Sequence, residues 1–321
     1  MTVLVTGGTG LVGEAIRENE DRGKFFFASS SDGDLKRWEK TLSLFHTVRP
    51  EAVIHLAARV GGLYYNIEEN LSFLEENLMI NMNVVKACHE FKIQNAVFCL
   101  STCIFPVGSP LPLNESMIHE GSPHPSNEGY SHSKRILECL VRMYSEKYGY
   151  KWCCVIPTNL YGPHDNFDLS KSHVIPALIH KCAMAKLKGT DFHVSGTGRP
   201  VRQFLYSKDF ARIVMELLRR NACGNFICCG DEPEITIADL ARKIASVIGF
   251  QGSIQFDSSA SDGILRKTAC GDKLRSFLND SLEFTILTEG LKDTVDWFMS
   301  SGVLIERSSP PSYPLYVEAL Q

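Results

Sequence analysis

Near its start the chain runs Thr6-Gly7-Gly8-Thr9-Gly10-Leu11-Val12-Gly13, directly after the apolar Val3-Leu4-Val5 and directly before a helix-compatible stretch. Strand, tight turn and helix N-terminus in that order leave few folds open. Gly7 permits the sharp turn, Gly10 lets backbone N–H groups approach a pyrophosphate, and Gly13 lets the helix lie close on the sheet. The positive end of the helix dipole then faces the phosphates. A glycine turn alone is a weak signal, but at the head of a βαβ unit it specifies a dinucleotide site.

The rest of the first half keeps that pattern. Short apolar runs at 25–28, 52–56, 96–100 and 152–156 read as strands, and helical periodicity covers 35–48, 78–91 and 130–148. Strands separated by helices predict an α/β fold, a Rossmann-type doubly wound parallel sheet covered on both faces. After Pro157 the pattern loosens into Pro-, Gly-, His- and Asn-rich loops. One further strand is expected at 226–229, and a helix at 237–248 with Thr236 as its N-cap. We therefore expect residues 1–165, with 203–230 returning to them, to form an NADP-binding domain. Residues 166–202 and 231–321 should form a smaller C-terminal substrate-binding lobe, ending in a loosely held Ser- and Pro-containing tail.

Composition narrows the partners. A formal net charge of −4 gives no basic footprint, which argues against nucleic acid. No apolar run approaches the length of a membrane span, and the first residues lack a signal-peptide pattern, so a cytoplasmic protein is expected. The eleven cysteines contain no C-x-x-C spacing. Cys153-Cys154 and Cys228-Cys229 are adjacent pairs in apolar runs, and neighbours on a strand face opposite ways. Reduced core thiols, with no metal, are the reading these spacings favour.

Two features point to carbonyl chemistry. The fourth strand runs into Ser101-Thr102-Cys103, and a later helix opens with Tyr130-Ser131-His132-Ser133-Lys134. Positions i and i+4 share a helix face, so Tyr130 and Lys134 can meet one ligand. An ammonium beside a phenol favours its ionised form and draws its pKa toward neutrality, while a serine hydroxyl can hold a carbonyl oxygen that becomes negative. The second strand ends in Ala28-Ser29-Ser30-Ser31 before Asp32, where an NAD site usually has a carboxylate on the ribose; serines leave room for a 2′-phosphate, which favours NADP(H).

The glycine turn, the strand-end serine and Y-x-x-x-K together resemble the extended short-chain dehydrogenase/reductases, in particular the nucleotide-sugar branch. His55-Leu56-Ala57-Ala58 and the P-T-N-L-Y-G-P run from Pro157 to Pro163 carry the same resemblance over nearly the whole chain. Within that branch the GDP-L-fucose synthases are the family most similar in V-G-G (Val60 to Gly62), S-T-C-I-F-P (Ser101 to Pro106), G-P-H-D-N-F (Gly162 to Phe167) and S-H-V-I-P-A-L (Ser172 to Leu178). The resemblance implies conversion of GDP-4-keto-6-deoxy-D-mannose to GDP-L-fucose, by epimerisation at C3 and C5 and NADPH reduction at C4. It implies Ser101, Tyr130 and Lys134 as the carbonyl-handling residues, with Cys103 and His173 as the proton-exchanging pair. Cofactor contacts are implied at Gly7, Gly8, Thr9, Gly10, Leu11, Val12 and Gly13, along Cys99, Leu100, Ser101 and Thr102, at Lys134, along Pro157, Thr158, Asn159 and Leu160, and at His173. Lys181, Arg202 and Asp262 should bind the GDP-sugar, with Lys267 a further candidate.

One departure stands out: the family tends to have a Trp where this chain has Ser195, before Gly196-Thr197-Gly198. The nearest alternative is a nucleotide-sugar 4-epimerase or 4,6-dehydratase. A dehydratase would carry an acidic pair where this chain has Cys103-Ile104. A non-catalytic NADP-binding sensor would tend to have lost the Tyr–Lys pair. The helices at 78–91 and 130–148 are apolar on more than one face, which predicts a homodimer.

Overall fold

Every residue of Val3–Thr6 (β1) is buried, because a parallel strand covered by helices on both sheet faces has no solvent side. The computed structural model describes residues 1–20 and 23–302. Around β1 stand Phe25–Ala28 (β2), Ala52–His55 (β3), Asn95–Cys99 (β4), Lys151–Pro157 (β5) and Gly224–Cys228. They form one parallel sheet in the order Gly224–Cys228, β5, β4, β3, β1, β2. With β2 on one side of β1 and β3 on the other, the order reverses at β1. That reversal opens a crevice at the carboxyl ends of the strands.

The helices of the first half are Leu11–Asn19 (α1), Trp38–Val48 (α2), Leu63–Glu68 (α3), Asn70–Glu90 (α4) and Glu128–Tyr148 (α5). One sheet face packs Leu4, Val53, Phe98 and Trp152 against Phe45 of α2, Val84 and Val85 of α4, and Leu137 of α5. The other packs Val5, Ile54 and Val97 against Ile16 of α1 and Phe210 and Val214 of the helix Ser207–Arg219. Each large apolar side chain buried in this way contributes about 1.5–3 kcal/mol. The period of two explains the paired cysteines: Cys153 lies in one core and Cys154 in the other. All eleven cysteines are free.

A third core joins Phe192 and Val194 to the helices Val174–Lys188, Ile237–Ile248 and Leu287–Ser300 through Ile179, Ile244, Leu291 and Phe298. The helix from Ile237 starts where its cap predicts, with the Asp239 N–H donating to Thr236 Oγ1 at 3.0 Å. The tail from 303 onward lies outside the described residues.

The structure departs from the sequence expectation mainly between β3 and β4. Helix α4 begins at Asn70 rather than at 78, and α3 was not foreseen. The buried face of α4 carries Asn77 and Asn81 among Phe73, Val84 and Val85, so its apolar periodicity is broken by polar residues that reach Arg59, His55 and Ser133 outside the helix. No helix among the described residues is long and apolar enough to cross a membrane.

Candidate active site

The three glycines divide their tasks. Gly7 takes φ +71°, in the left-handed region, with Ala57 backbone against it. A Cβ on Gly13 would lie 2.6 Å from the Gly8 backbone, so this glycine lets α1 lie against its own turn. Gly10 is different. It is exposed, and a Cβ there would meet only Gly7 O at 3.5 Å. The fold tolerates a side chain at Gly10, so an empty approach to the N-terminus of α1 is what the glycine supplies. An anionic diphosphate fits that opening, where the first-turn N–H groups have no intrahelical acceptors. Thr158 Oγ1, a predicted cofactor contact just after β5, is buried without a partner among the described residues.

At the end of β2, Ser29 donates both its backbone N–H (2.8 Å) and its hydroxyl (2.7 Å) to Asp32. These bonds hold the Asp32 carboxyl below its usual range. Arg17 of α1 lies 4.7 Å over the Phe27 ring and donates to Gly8 O at 3.0 Å, so a guanidinium stands between β2 and the glycine turn.

Ser101 follows β4 and caps the short helical turn Thr102–Ile104, its Oγ accepting the Cys103 N–H at 3.4 Å. The hydroxyl proton stays available to an incoming oxygen. Cys103 is nearly buried, and its turn is held from α5: Ser131 Oγ donates to Cys103 O (3.0 Å) and Arg135 Nε donates to Ile104 O (2.7 Å). One helix therefore places Tyr130 and Lys134 and also holds the loop that bears the thiol.

Lys134 is buried, donates to Cys99 O at 2.7 Å, and lies 5.7 Å from the Tyr130 ring centroid. Burial lowers its pKa, opposed by the nearby thiols of Cys99 and Cys103. Tyr130 shifts opposite to the sequence expectation. Burial, with the thiols of Cys103 and Cys99 adding to it, pushes the phenol well above its ordinary value. The ammonium is turned to a carbonyl rather than to the phenol oxygen, so Tyr130 is held as a protonated donor.

Beneath these groups lies a buried polar relay. Thr6 Oγ1 and His55 Nδ1 are 2.7 Å apart, His55 Nε2 lies 3.1 Å from Asn81 Oδ1, and Asn81 Nδ2 donates to Ser133 O at 3.2 Å. Burial and the Lys134 charge push His55 down to about 3, so it is neutral, with Nδ1 accepting and Nε2–H donating. The relay fixes α5 against the ends of β1 and β3.

The residues predicted to bind the GDP-sugar fall into three groups. Arg202 pairs in register with Lys267 across short parallel strands, Val201–Arg202 and Arg266–Lys267. Burial lowers the pKa of both, Lys267 to about 8, with the Cys103 thiol acting on Lys267 in the opposite sense. Asp262 spends both carboxylate oxygens on Thr197, accepting its N–H (2.8 Å) and its hydroxyl, and so braces the Gly196–Gly198 loop. Lys181 Nζ donates to Ser195 Oγ at 3.1 Å, so the serine in the expected Trp position holds a lysine.

His173 is the N-cap residue of the helix Val174–Lys188 and makes no side-chain cap bond. Its loop is tied to V-G-G: the Gly62 N–H donates to Lys171 O at 2.9 Å, and a Cβ on Gly62 would strike Ser172 O. Sequence reasoning passed over Asn81, Arg135 and Gln203. Gln203 exchanges hydrogen bonds with both backbone groups of Ala269 and so anchors the Lys267 strand. The signal for Asn81 and Arg135 was a polar residue at a buried helix position; Gln203, partly buried between two short strands, carried none. Away from the site, His119, Glu138 and Cys139 meet within 4.8 Å, but Glu138 is already bonded to His119, Asn225 and Arg142.

A parallel switch-point sheet, a glycine cradle at β1 and a Ser–Tyr–Lys constellation at the ends of β4 and α5 define a nucleotide-cofactor epimerase/reductase of the Rossmann type. Comparison with known proteins agrees. The chain belongs to the NAD dependent epimerase/dehydratase family, whose sequence profile matches residues 3–229, and within it to the GDP-L-fucose synthases. It is 46% identical to the GDP-L-fucose synthase of Dictyostelium discoideum over 94% of this chain and 96% of that one. It is 35% identical to the Escherichia coli enzyme of the same name, over 93% and 97%. A GDP-L-fucose synthetase from Naegleria fowleri bound to NADP superposes with a TM-score of 0.85 at 38% identity, over 93% of this chain and 94% of that one.

Proposed function

We propose that this protein converts GDP-4-keto-6-deoxy-D-mannose to GDP-L-fucose, inverting C3 and C5 and then reducing the C4 ketone with NADPH. The observation that carries the reading is the convergence of Ser101, Cys103, Tyr130 and Lys134 at one sheet edge, with α5 holding the thiol-bearing turn. Ser101 and Tyr130 hold the C4 oxygen as both neighbouring C–H bonds are acidified, and Cys103 and His173 exchange protons at C3 and C5. Bound NADPH supplies the hydride. Tyr130, kept protonated by its surroundings, donates its proton to the C4 oxygen. Lys134 holds the cofactor ribose, and Arg202, Lys181 and Lys267 give the GDP diphosphate its cations, with Asp262 bracing the Gly196–Gly198 loop.

In this reading residues 1–165 and 203–230 carry NADPH, and the lobe of residues 166–202 and 231 onward carries the GDP-sugar. The protein acts in the cytoplasm, where its eleven free thiols stay reduced. It works as a homodimer: Leu71, Met79 and Met82 of α4 and Ile136 and Met143 of α5 are exposed on neighbouring helices, a face suited to a second copy. Met82→Asp should then give a monomeric mass by light scattering.

The deciding assay supplies the keto sugar and NADPH to purified protein. Stoichiometric loss of absorbance at the nicotinamide band, with GDP-L-fucose as product, supports the assignment. Protein that binds NADPH yet consumes none with this sugar refutes it.

A further inference from the structure

One stripe of α4 serves the N-terminal end of α5. Asn70, Phe73, Asn77 and Asn81 follow one another by three, four and four positions, the spacing of a single helix face. At the first of them the Gly129 N–H donates to Asn70 Oδ1 at 2.6 Å, and a Cβ on Gly129 would strike Asn70 O. At the last, Asn81 Nδ2 donates to Ser133 O at 3.2 Å. The backbone on either side of Tyr130 is thus tied to α4. Between the ties the fully buried Phe73 meets the Tyr130 ring edge to face, with centroids 6.3 Å apart and planes at 88°.

Phe73 is itself held. The Arg59 guanidinium lies 4.9 Å from its ring centroid, and the Tyr65 ring stands 5.3 Å away at 78°. Arg59 Nη1 donates to Glu76 at 2.6 Å, and Nη2 donates to Tyr65 Oη at 2.7 Å and to Glu69 at 3.1 Å. Asn77 fixes the backbone of the same arginine, accepting its N–H at 2.8 Å and donating to its O at 3.0 Å. A guanidinium engaged on both sides stays over the ring it covers. The Tyr130 hydroxyl, by contrast, has no hydrogen-bond partner among the described residues, so its direction is set by what packs on the ring.

We propose that Phe73 is the positioning residue for Tyr130, clamped in turn by Arg59: the edge-to-face contact holds the phenol ring in one plane and presents its hydroxyl to the substrate oxygen. A phenolic O–H lies in the plane of its ring, so fixing the plane fixes the arc along which the proton can be given. This rests on the proposed reaction, in which Tyr130 gives that proton to the C4 oxygen. A donor displaced by about 1 Å can cost on the order of 100-fold in rate.

Phe73→Leu and Arg59→Met in the full-length protein test it, the second at a partly exposed position that leaves the buried ring in place. Phe73→Leu should lower kcat for NADPH oxidation by about 10- to 100-fold and Arg59→Met by about 3- to 10-fold, with KM for the keto sugar and NADPH affinity within about threefold of wild type. Arg59→Lys, which keeps a cation over the ring, should recover most of the rate. Added to Tyr130→Phe, neither variant should slow the residual rate further, whereas a merely structural loss would slow it again. In protein labelled with 13C at the tyrosine ε carbons, the Tyr130 signal, assigned by its loss in Tyr130→Phe, should be two resolved lines in the wild type and one averaged line in Phe73→Leu. An undiminished further loss in the Tyr130→Phe background, or a single averaged line in the wild type, overturns the proposal. Wild-type protein that binds NADPH but consumes none with the keto sugar overturns the proposed reaction instead. The 13C comparison needs no substrate and still decides on Phe73.

Discussion

Gly10 and Gly13 sit three residues apart in one turn, yet alanine at each should fail in a different experiment. At Gly13 the new Cβ would lie 2.6 Å from the Gly8 Cα and carbonyl carbon and 2.7 Å from Gly7 O. These are backbone atoms that no rotamer change can move, so α1 must shift off the sheet, at a cost of about 1–3 kcal/mol or more. At Gly10 the backbone is extended (φ −91°, ψ 176°), a region open to alanine, and the nearest atom would be 3.5 Å away. Alanine caps a helix poorly but also restricts the unfolded chain, and the two effects leave folding stability within about 1 kcal/mol of wild type. The methyl group would instead occupy the approach to the N-terminus of α1. Losing two N–H bonds to a charged phosphate, each worth about 1.5–3 kcal/mol, weakens NADPH binding by roughly 10²- to 10⁴-fold. Urea denaturation and NADPH fluorescence titration on the two variants separate the cases. Gly10→Ala that binds NADPH within threefold of wild type would refute this account of the cradle.

Three further outcomes are expected of the site. Tyr130→Phe should lower the rate of NADPH oxidation by about 10²-fold or more, in the range of a lost general acid, and NADPH affinity measured alongside should stay close to wild type. Cys103→Ser should suppress deuterium incorporation at C3, C5 or both, read by mass spectrometry; full incorporation would remove the thiol from the proton exchange. His55 should shape the acid limb of stability. Its folded value near 3 lies below the ordinary 6.5, so below pH 6.5 the unfolded chain binds a proton that the folded protein refuses. The stabilisation is present above pH 6.5 and is lost as pH falls toward 3, amounting to roughly 2–3 kcal/mol at pH 4.5. His55→Gln should flatten that limb in urea titrations at pH 7 and 4.5, and an unchanged slope would argue against a neutral buried imidazole.

The glycine turn, the strands flanking it and the Thr236 cap were legible because each rests on a local rule: backbone freedom, apolar runs, a side chain bonding an N–H three residues on. The start of α4 was not, because Asn77 bonds Arg59 and Asn81 bonds His55 and Ser133, partners outside the helix that periodicity cannot see. The state of Tyr130 was misjudged for the same reason. Y-x-x-x-K spacing brings an ammonium near a phenol, but which acceptor the ammonium chooses depends on Cys99 O, supplied by a strand more than thirty residues away. Asp165 lay inside a string singled out for its resemblance, yet nothing in that string says that one of its oxygens would be enclosed without a partner. Ser195 shows the converse: its identity was plain as a departure, and only the fold shows Lys181 bonded to it.

The relay from Thr6 through His55 and Asn81 to Ser133 also binds parts of the chain with different duties into one cooperative unit. Opening any link exposes a polar group in a dry interior, so the nucleotide turn and the N-terminal half of α5 should breathe together rather than separately. In hydrogen–deuterium exchange, a dinucleotide bound at the glycine turn should therefore slow the amides around Ser133 and Lys134, far along the sequence from the phosphates it touches.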